Sequence, residues 1–154
     1  MKVNISIARS VEIAAGVERV QPLLREYASL IGRFPKLRRL TPLRRDAYLW
    51  EMAPIGSRTA RIAHEVSYAA AYTVDADAGV LEWKPLPDYG NAVIEGRMRL
   101  QPSTGGCRLS FDVRGELRDV PVPLMYRLVA PPFIQGKFTR LVDVFLEQTR
   151  DSLM

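Results

Sequence analysis

The sequence contains few of the side chains that bind metals or form covalent cross-links. Among 154 residues there is one cysteine, Cys107, and one histidine, His64. A single cysteine forms no internal disulfide, and one cysteine with one histidine is too small a ligand set for zinc or an iron–sulfur cluster. We therefore expect no metal site built on these two residues.

Apolar runs long enough to cross a membrane are also missing. The longest stretches without a charged side chain, residues 66–74 and 128–136, have nine residues each, whereas a membrane-spanning helix needs about 20 apolar residues. The first nine residues contain no apolar core of a secretory signal. These absences predict a cytoplasmic protein, and the chain length predicts a single domain over residues 1–154.

Three motifs of enzymes and cofactor-binding proteins are incomplete. Residues 135–139 end like a phosphate-binding loop, but Phe138 follows the lysine and Pro131 stands where the first glycine belongs. Residues 75–79 lack the remaining ligands of a calcium loop, and no Gly-x-Ser-x-Gly elbow of a serine hydrolase occurs. We therefore expect no cofactor.

The apolar periodicity of the first part of the chain predicts a strand followed by a helix. Apolar and polar residues alternate over Val3–Ile13, with a slip expected near Arg9. Over residues 17–31 the apolar spacing changes to three and four, which is typical of an amphipathic helix. The basic residues 33–45 that follow predict one more helical turn and an edge strand.

Alternation returns after the basic segment and predicts a series of antiparallel strands separated by turns. A strand over residues 62–74 exceeds common strand lengths, so we expect a bend or bulge in it at residues 69–71. The next strand, from Leu81, is expected to stop at Pro85 and Pro87, because proline has no amide proton to donate to the sheet.

The end of the chain predicts a long amphipathic helix. It opens at Val122 and Pro123, and Pro131 and Pro132 are expected to kink or interrupt it. An antiparallel sheet with one apolar face needs a cover, and this helix is the only long one that the pattern offers. The predicted fold class is α+β, with a curved antiparallel sheet of six or seven strands wrapped around a long C-terminal helix and one or two short helices after the first strand.

This order of elements, from the strand at Val3 through the helix at residues 17–31 to the helix after Pro123, resembles the SRPBCC superfamily, also called START-like or Bet v 1-like. The resemblance implies a helix-grip fold and a cavity between sheet and helix that holds apolar or amphipathic molecules. Lipid carriers, polyketide cyclases and hormone-binding proteins are among these relatives. The chain departs from the plant members at residues 53–57, where Ala-Pro-Ile-Gly-Ser replaces their glycine-rich loop.

The apolar faces of the predicted elements supply candidates for the lining of such a cavity. Large side chains such as Trp50 on these faces suit either a ligand contact or solid core. The predicted ligand contacts are Ile62, His64, Val66, Tyr68, Tyr72, Trp83, Ile94, Met98, Leu109, Phe111, Val113, Ile134, Phe138 and Leu141.

His64 is the candidate for acid–base chemistry, because an unperturbed histidine titrates near neutrality. With Tyr68 or Tyr72 holding a carbonyl group, His64 would serve a small cyclase or dehydratase. The alternative is a buried imidazole bonded to a nearby hydroxyl or carbonyl, with the tyrosines filling a half-wet core. The spacing identifies no partner for proton transfer, so both interpretations stay open.

Most of the net charge of +5 lies in one basic segment. Its cations are Arg33, Lys36, Arg38, Arg39, Arg44 and Arg45. They favour an anionic surface such as phospholipid headgroups, and RNA less, because Phe34 is the only aromatic residue among them. A solvated segment without a partner is the simplest alternative.

Three functions therefore remain open: binding or transport of a small hydrophobic or amphipathic ligand, lipid-like or polyketide-like; a cyclase- or dehydratase-type enzyme; and a membrane- or RNA-associated interaction module. The first is favoured because the predicted concave face is apolar and carries few ionisable groups. The sequence indicates neither the ligand nor the oligomeric state.

Overall fold

One antiparallel sheet and one long helix make up most of the structure, a computed structural model that describes residues 1–57, 59 and 61–153. The helices are α1 (Val17–Arg25), α2 (Tyr27–Ile31) and α3 (Ala130–Asp151), with a short 3₁₀ helix at Leu124–Tyr126. The strands are β1 (Val3–Ile13), β2 (Leu37–Arg44), β3 (Ala47–Met52), β4 (Ser67–Asp75), β5 (Val80–Gly90), β6 (Ala92–Ser103) and β7 (Gly106–Leu117).

The strands form a single sheet in the order β1-β7-β6-β5-β4-β3-β2, with every neighbouring pair antiparallel. The sheet is curved, and α3 packs along β1 at one of its edges. The short helices α1 and α2 follow the first strand, and α1 packs against β6 and β4. The predicted helix-grip architecture, with six or seven strands and a long C-terminal helix, is confirmed, and the sheet has seven strands.

The register of the strands gives the sheet two distinct ends. At the Met1 end, β1 begins beside the last residue of β7. Residues 53–57 and 61–66, Asn91 and residues 118–129 also lie at this end, between elements. At the α1 end, β1 leads into α1 beside the turns at residues 45–46 and 76–79. The two ends are used below to locate each surface.

Two polar contacts fix α3 against β1. The side-chain amide of Gln135 accepts a hydrogen bond from the Ser6 backbone N–H at 3.0 Å and donates one to the Ser6 carbonyl at 2.7 Å. It thus pairs with an edge strand as a neighbouring strand would. About two turns further along α3, the carboxylate of Asp143 receives two hydrogen bonds from Arg9, at 2.8 and 2.9 Å.

The structure also corrects the prediction of a slip in the strand near Arg9. The pairing of β1 with β7 is continuous over Val3–Ile13, so Arg9 keeps the inward parity of the strand. Its guanidinium stays on that face because it donates hydrogen bonds to the carboxylate of Asp143 on α3.

The predicted helix over residues 17–31 is two helices. The backbone of Glu26 leaves the helical region, with ψ at 46°, and separates α1 from α2. In the C-terminal helix, Pro131 and Pro132 occupy the first turn of α3, where a missing amide proton is tolerated, instead of kinking it.

Two strand predictions also need correction. The predicted strand over residues 62–74 begins only at Ser67, and before it a single bridge joins His64 to Ile55. A register shift lies between Tyr68 and Ala69, close to the predicted bulge.

The strand from Leu81 does not stop at its prolines. It extends to Gly90 because β5 pairs with β6 only as far as Trp83, so Pro85 and Pro87 face no strand on that side and need no donor there.

Asn91 joins three elements at the Met1 end. Its side-chain oxygen accepts a hydrogen bond from the Ser67 N–H at 2.9 Å, and its amide donates to the Glu65 carbonyl at 2.8 Å. Its backbone N–H and carbonyl bond to Ser67 and to Arg118. The start of β4 is therefore held to the end of β7 through this one residue.

We expect Asn91→Ala to lower the free energy of unfolding by about 1–3 kcal/mol, because two hydrogen bonds of a half-buried amide are lost. Urea denaturation measures the change. The matched control is Gln101→Ala, whose exposed amide makes no hydrogen bond to the residues described; equal stability losses in both variants would contradict the role of Asn91.

Candidate functional site

A small cavity lies in the core between the inner face of the sheet and α3. Its volume is about 40 Å³. Its lining is formed by Ile5, Ile7, Ile31, Phe34, Trp50, Met52, Tyr68, Tyr72, Trp83, Ile94, Phe111, Val113, Phe138, Val142 and Phe145. Protein cores leave few voids larger than one water molecule, and a water needs about 10–15 Å³ by the same measure. This cavity is thus larger than ordinary packing leaves, and its walls are almost entirely apolar.

The structure brings half of the predicted ligand contacts to this cavity. These are Tyr68, Tyr72, Trp83, Ile94, Phe111, Val113 and Phe138. The others are buried but do not line it: Ile62, His64, Val66, Met98, Leu109, Ile134 and Leu141. Met98 and Leu109 lie on the inner faces of β6 and β7 nearer the α1 end, whereas residues 62–66 precede β4 and lie beyond the paired part of the sheet.

Several lining residues were missing from the predicted contacts, although their patterns were available. Ile5 and Ile7 share the inward parity of β1, and Val142 and Phe145 follow Phe138 at helical spacing. The remaining lining residues are Ile31, Phe34, Trp50 and Met52. Of these, the sequence pattern indicates only Trp50 as a candidate, a large side chain suited either to a ligand contact or to solid core. Phe34 follows α2, and no periodic signal marks it.

Aromatic rings form most of one wall. Trp50 stacks on Tyr68 with ring centroids 5.3 Å apart, and its indole N–H donates a 2.7 Å hydrogen bond to the hydroxyl of Tyr72. Burial raises the pKa of Tyr68 and of Tyr72 well above the usual tyrosine value, so both remain neutral phenols. The hydrogen bond holds two of the largest side chains in place.

Trp83 differs from Trp50 because its indole N–H is buried without a hydrogen-bond partner among the described residues. Trp83 pairs across strands with Gly96, and a Cβ atom at Gly96 would lie 2.3 Å from Cζ2 of the indole. The glycine therefore leaves the space that the indole occupies. More than nine in ten buried polar groups are paired in native proteins, so an unpaired indole N–H is unusual. It is an unused hydrogen-bond donor on a residue that lines the cavity.

We expect Gly96→Ala to lower the free energy of unfolding by about 1–3 kcal/mol, because the new methyl group forces the indole of Trp83 to move. The matched change Gly136→Ala places a methyl group at an exposed position of α3 with nothing within 4 Å, so it should stabilise the protein by about 0.5–1 kcal/mol. Chemical denaturation measures both values. Changes of the same sign would contradict the close packing at Gly96.

His64 is buried, with 6% of its surface exposed, at the Met1 end. Its Nε2 atom has no hydrogen-bond partner in the part of the chain that is described. Burial lowers the pKa of His64, and the N-terminal ammonium acts in the same direction. The nearby Asp119, the Arg118 carbonyl and Glu65 oppose this shift. His64 thus does not line the cavity that Tyr68 and Tyr72 border.

A lowered pKa makes the stability depend on pH. The unfolded chain takes up a proton at His64 below about pH 6.5, whereas the folded chain does so only at lower pH, so folding loses stability as the pH falls through this window. We expect His64→Leu to flatten the fall in unfolding free energy between about pH 7 and about pH 5.5. Urea titrations at both pH values test this, and an unchanged slope in the variant would contradict it.

The basic segment lies along the exposed edge formed by β2. Lys36 and Arg38 are near the Met1 end, whereas Arg44 and Arg45 are at the α1 end, about 23 Å away at 3.3 Å per residue. The segment's ion pairs are loose and exposed: Arg38 with Glu65, Arg39 with Glu51 and Arg45 with Asp46, at 3.7, 3.7 and 3.8 Å. Arg33 is also exposed. The cations form a line and not a compact patch.

No protein-family model and no curated protein matches the sequence. Solved structures are similar over nearly the whole chain. A START superfamily protein from Mycobacterium smegmatis is 15% identical with a TM-score of 0.63, covering 97% of this chain and 99% of that one. The Zhui aromatase/cyclase from Streptomyces sp. R1128 is 10% identical with a TM-score of 0.62, covering 99% and 94%.

A conserved protein from Geobacillus kaustophilus is similar as well, at 16% identity and a TM-score of 0.65, covering 99% of this chain and 95% of that one. At such identities the likeness concerns the fold. The chain has the helix-grip fold of these structures, which is the fold that the resemblance of its element order implied. Among the described residues, no helix is long and apolar enough to span a membrane.

Proposed function

We propose that the protein binds a small hydrophobic or amphipathic molecule between the sheet and α3. The observation that carries the proposal is an apolar cavity bordered by Trp83, whose buried indole N–H has no partner among the described residues. Native cores rarely contain either a void of this size or an unpaired buried donor. Their coincidence is typical of a ligand site, and an aromatase/cyclase of similar fold supports an aromatic ligand class.

The ligand has to displace side chains to enter. The cavity of about 40 Å³ is far below the roughly 300–1,000 Å³ of sites for drug-sized molecules. Phe34, Phe111 and Phe145 contact one another at centroid distances of 5.3–6.2 Å. No hydrogen bond fixes a phenylalanine ring, whereas Trp50 and Tyr72 are bonded to each other. Rotation of the phenylalanines therefore enlarges the site, and the Trp50–Tyr72 pair stays as a fixed wall.

The N–H of Trp83 selects among apolar ligands. A molecule that places a carbonyl or hydroxyl oxygen beside the indole satisfies this donor, and a pure hydrocarbon leaves it unpaired. One added hydrogen bond in an apolar site contributes about 1–1.5 kcal/mol, or roughly a tenfold gain in affinity. The favoured ligand is therefore a flat or aliphatic hydrophobe that carries an oxygen acceptor.

Solvent extraction of the purified protein followed by mass spectrometry tests whether a hydrophobic molecule is retained. Titration with fluorenone and fluorene, followed by tryptophan fluorescence, tests the selectivity. We expect fluorenone to bind about tenfold more tightly than fluorene, and Trp83→Phe to remove this difference with little effect on fluorene.

Val113→Phe fills the cavity and should abolish binding of both compounds, whereas Val11→Phe, outside the cavity lining, should not. Thermal melting confirms that each variant is folded. If the wild-type protein retains no molecule and binds neither compound, the proposal is wrong.

The alternative of a cyclase or dehydratase has less support. It needs His64 to exchange protons with a ligand held by Tyr68 or Tyr72. Of these three residues, the two tyrosines line the cavity and His64 does not. Both tyrosines remain protonated and serve as hydrogen-bond donors or apolar walls.

A further inference from the structure

Four large apolar side chains are exposed in the connection between β7 and α3. The exposed fractions of Leu124, Met125 and Leu128 are 80%, 79% and 93%, and that of Val129 is 54%. Soluble proteins expose single apolar residues commonly, but a contiguous group marks an interaction surface. We call these four residues the apolar stripe.

The local backbone keeps the four residues of the stripe close together. Consecutive turns run through this segment, with hydrogen bonds from Arg127 N–H to the Leu124 carbonyl and from Phe133 N–H to the Val129 carbonyl. The four exposed positions fall within six consecutive residues, so their side chains lie close together on the surface. Tyr126, in the same segment, packs against the core, and Ala130, which follows it, is buried. The stripe therefore points away from the protein.

Exposed cations accompany the stripe at the Met1 end. Arg127 lies within the stripe, and Lys36, Arg38 and Arg61 are exposed at the same end of the sheet. Arg127 and Arg61 form no ion pair with a described residue, whereas Arg38 has Glu65 at 3.7 Å. The acidic residues at this end are Glu51, Glu65, Asp88, Glu116 and Asp119. Glu51 is already paired with Arg39, and Glu116 with Lys2 and Arg118. Arg127 thus places a positive charge with no ion-pair partner among the described residues directly between the apolar side chains.

We propose that the apolar stripe docks the protein on the surface of a lipid bilayer that contains anionic lipids. Apolar side chains inserted at the headgroup boundary together with cations on the rim are the two elements of interfacial membrane binding. This docking does not depend on the proposed ligand, since the stripe lies outside the cavity.

A second copy of the chain fits the stripe less well. A stable protein interface takes about 20–30 residues from each partner, and the stripe offers four side chains. A twofold pair formed through this patch would also bring Arg127 close to its own copy, and like charges across an interface oppose binding. A bilayer needs neither a large area nor self-complementary charge.

Co-sedimentation with vesicles tests the docking. We expect the wild-type protein to bind vesicles of equimolar phosphatidylcholine and phosphatidylglycerol, and to bind pure phosphatidylcholine vesicles more weakly. The double variant Leu124→Ser, Leu128→Ser should bind at least tenfold more weakly, because two apolar side chains no longer enter the bilayer. Its melting temperature should stay unchanged, since both side chains are exposed.

The matched control for the apolar change is Val74→Ser, an exposed apolar residue near the α1 end, with 37% exposure. For the charge, Arg127→Glu should weaken binding in a salt-dependent manner, whereas Arg99→Glu, exposed on β6 near the α1 end, should not. The variant Leu128→Trp measures insertion directly, because brominated lipids should quench the fluorescence of a tryptophan that enters the bilayer. The fluorescence of the control Val74→Trp should not be quenched.

The proposal is overturned if wild-type protein fails to bind the anionic vesicles or if the double serine variant binds as the wild type does. It is also overturned if Arg45→Glu, on the edge strand at the α1 end, weakens binding as much as Arg127→Glu does. Sedimentation that shows a dimer dissolved by the double variant would assign the stripe to a second copy instead. Failure of the ligand experiment leaves these outcomes unaffected.

Discussion

The position of α3 against the edge strand β1 governs the rest of the structure. The inner face of the sheet is apolar and must be covered, and the buried face of α3 supplies that cover. Apolar contacts alone allow a helix to slide along a sheet, because they have little directionality. Gln135 bonded to Ser6 and Arg9 bonded to Asp143 fix the register at two points. The space left between helix and sheet, and thus the cavity, follows from that register.

Much of the fold could be predicted because the apolar periods of strand and helix differ. The alternation over β1 and after residue 80, and the helical spacing after Ile134, gave the order and type of the main elements. The errors in the strands occurred where pairing with another strand decides the outcome. Pro85 and Pro87 remain within β5 because β6 has already separated from it, a fact of tertiary structure that local sequence does not contain.

The candidate site was only half predictable for a related reason. Alternation along a strand predicts which face of the sheet a side chain lies on, but it does not predict how far along the sheet the cavity extends. Met98 and Ile94 have the same parity, yet only Ile94 reaches the cavity. His64 was placed on the inner face by parity, whereas its segment joins Ile55 by one bridge before β4 begins. The large hollow that the resemblance implied is mostly filled by aromatic side chains, which leave a volume of about 40 Å³.

The strand at the other side of the sheet, β2, has unpaired backbone groups along its outer side, as any terminal strand does. An open row of this kind can recruit a strand from another molecule and start aggregation. On β2 that row is interrupted by Pro42, which has no N–H, and carries Arg38, Arg39 and Arg44, which repel an identical strand. The line of cations that first suggested a partner thus also keeps copies of this protein apart.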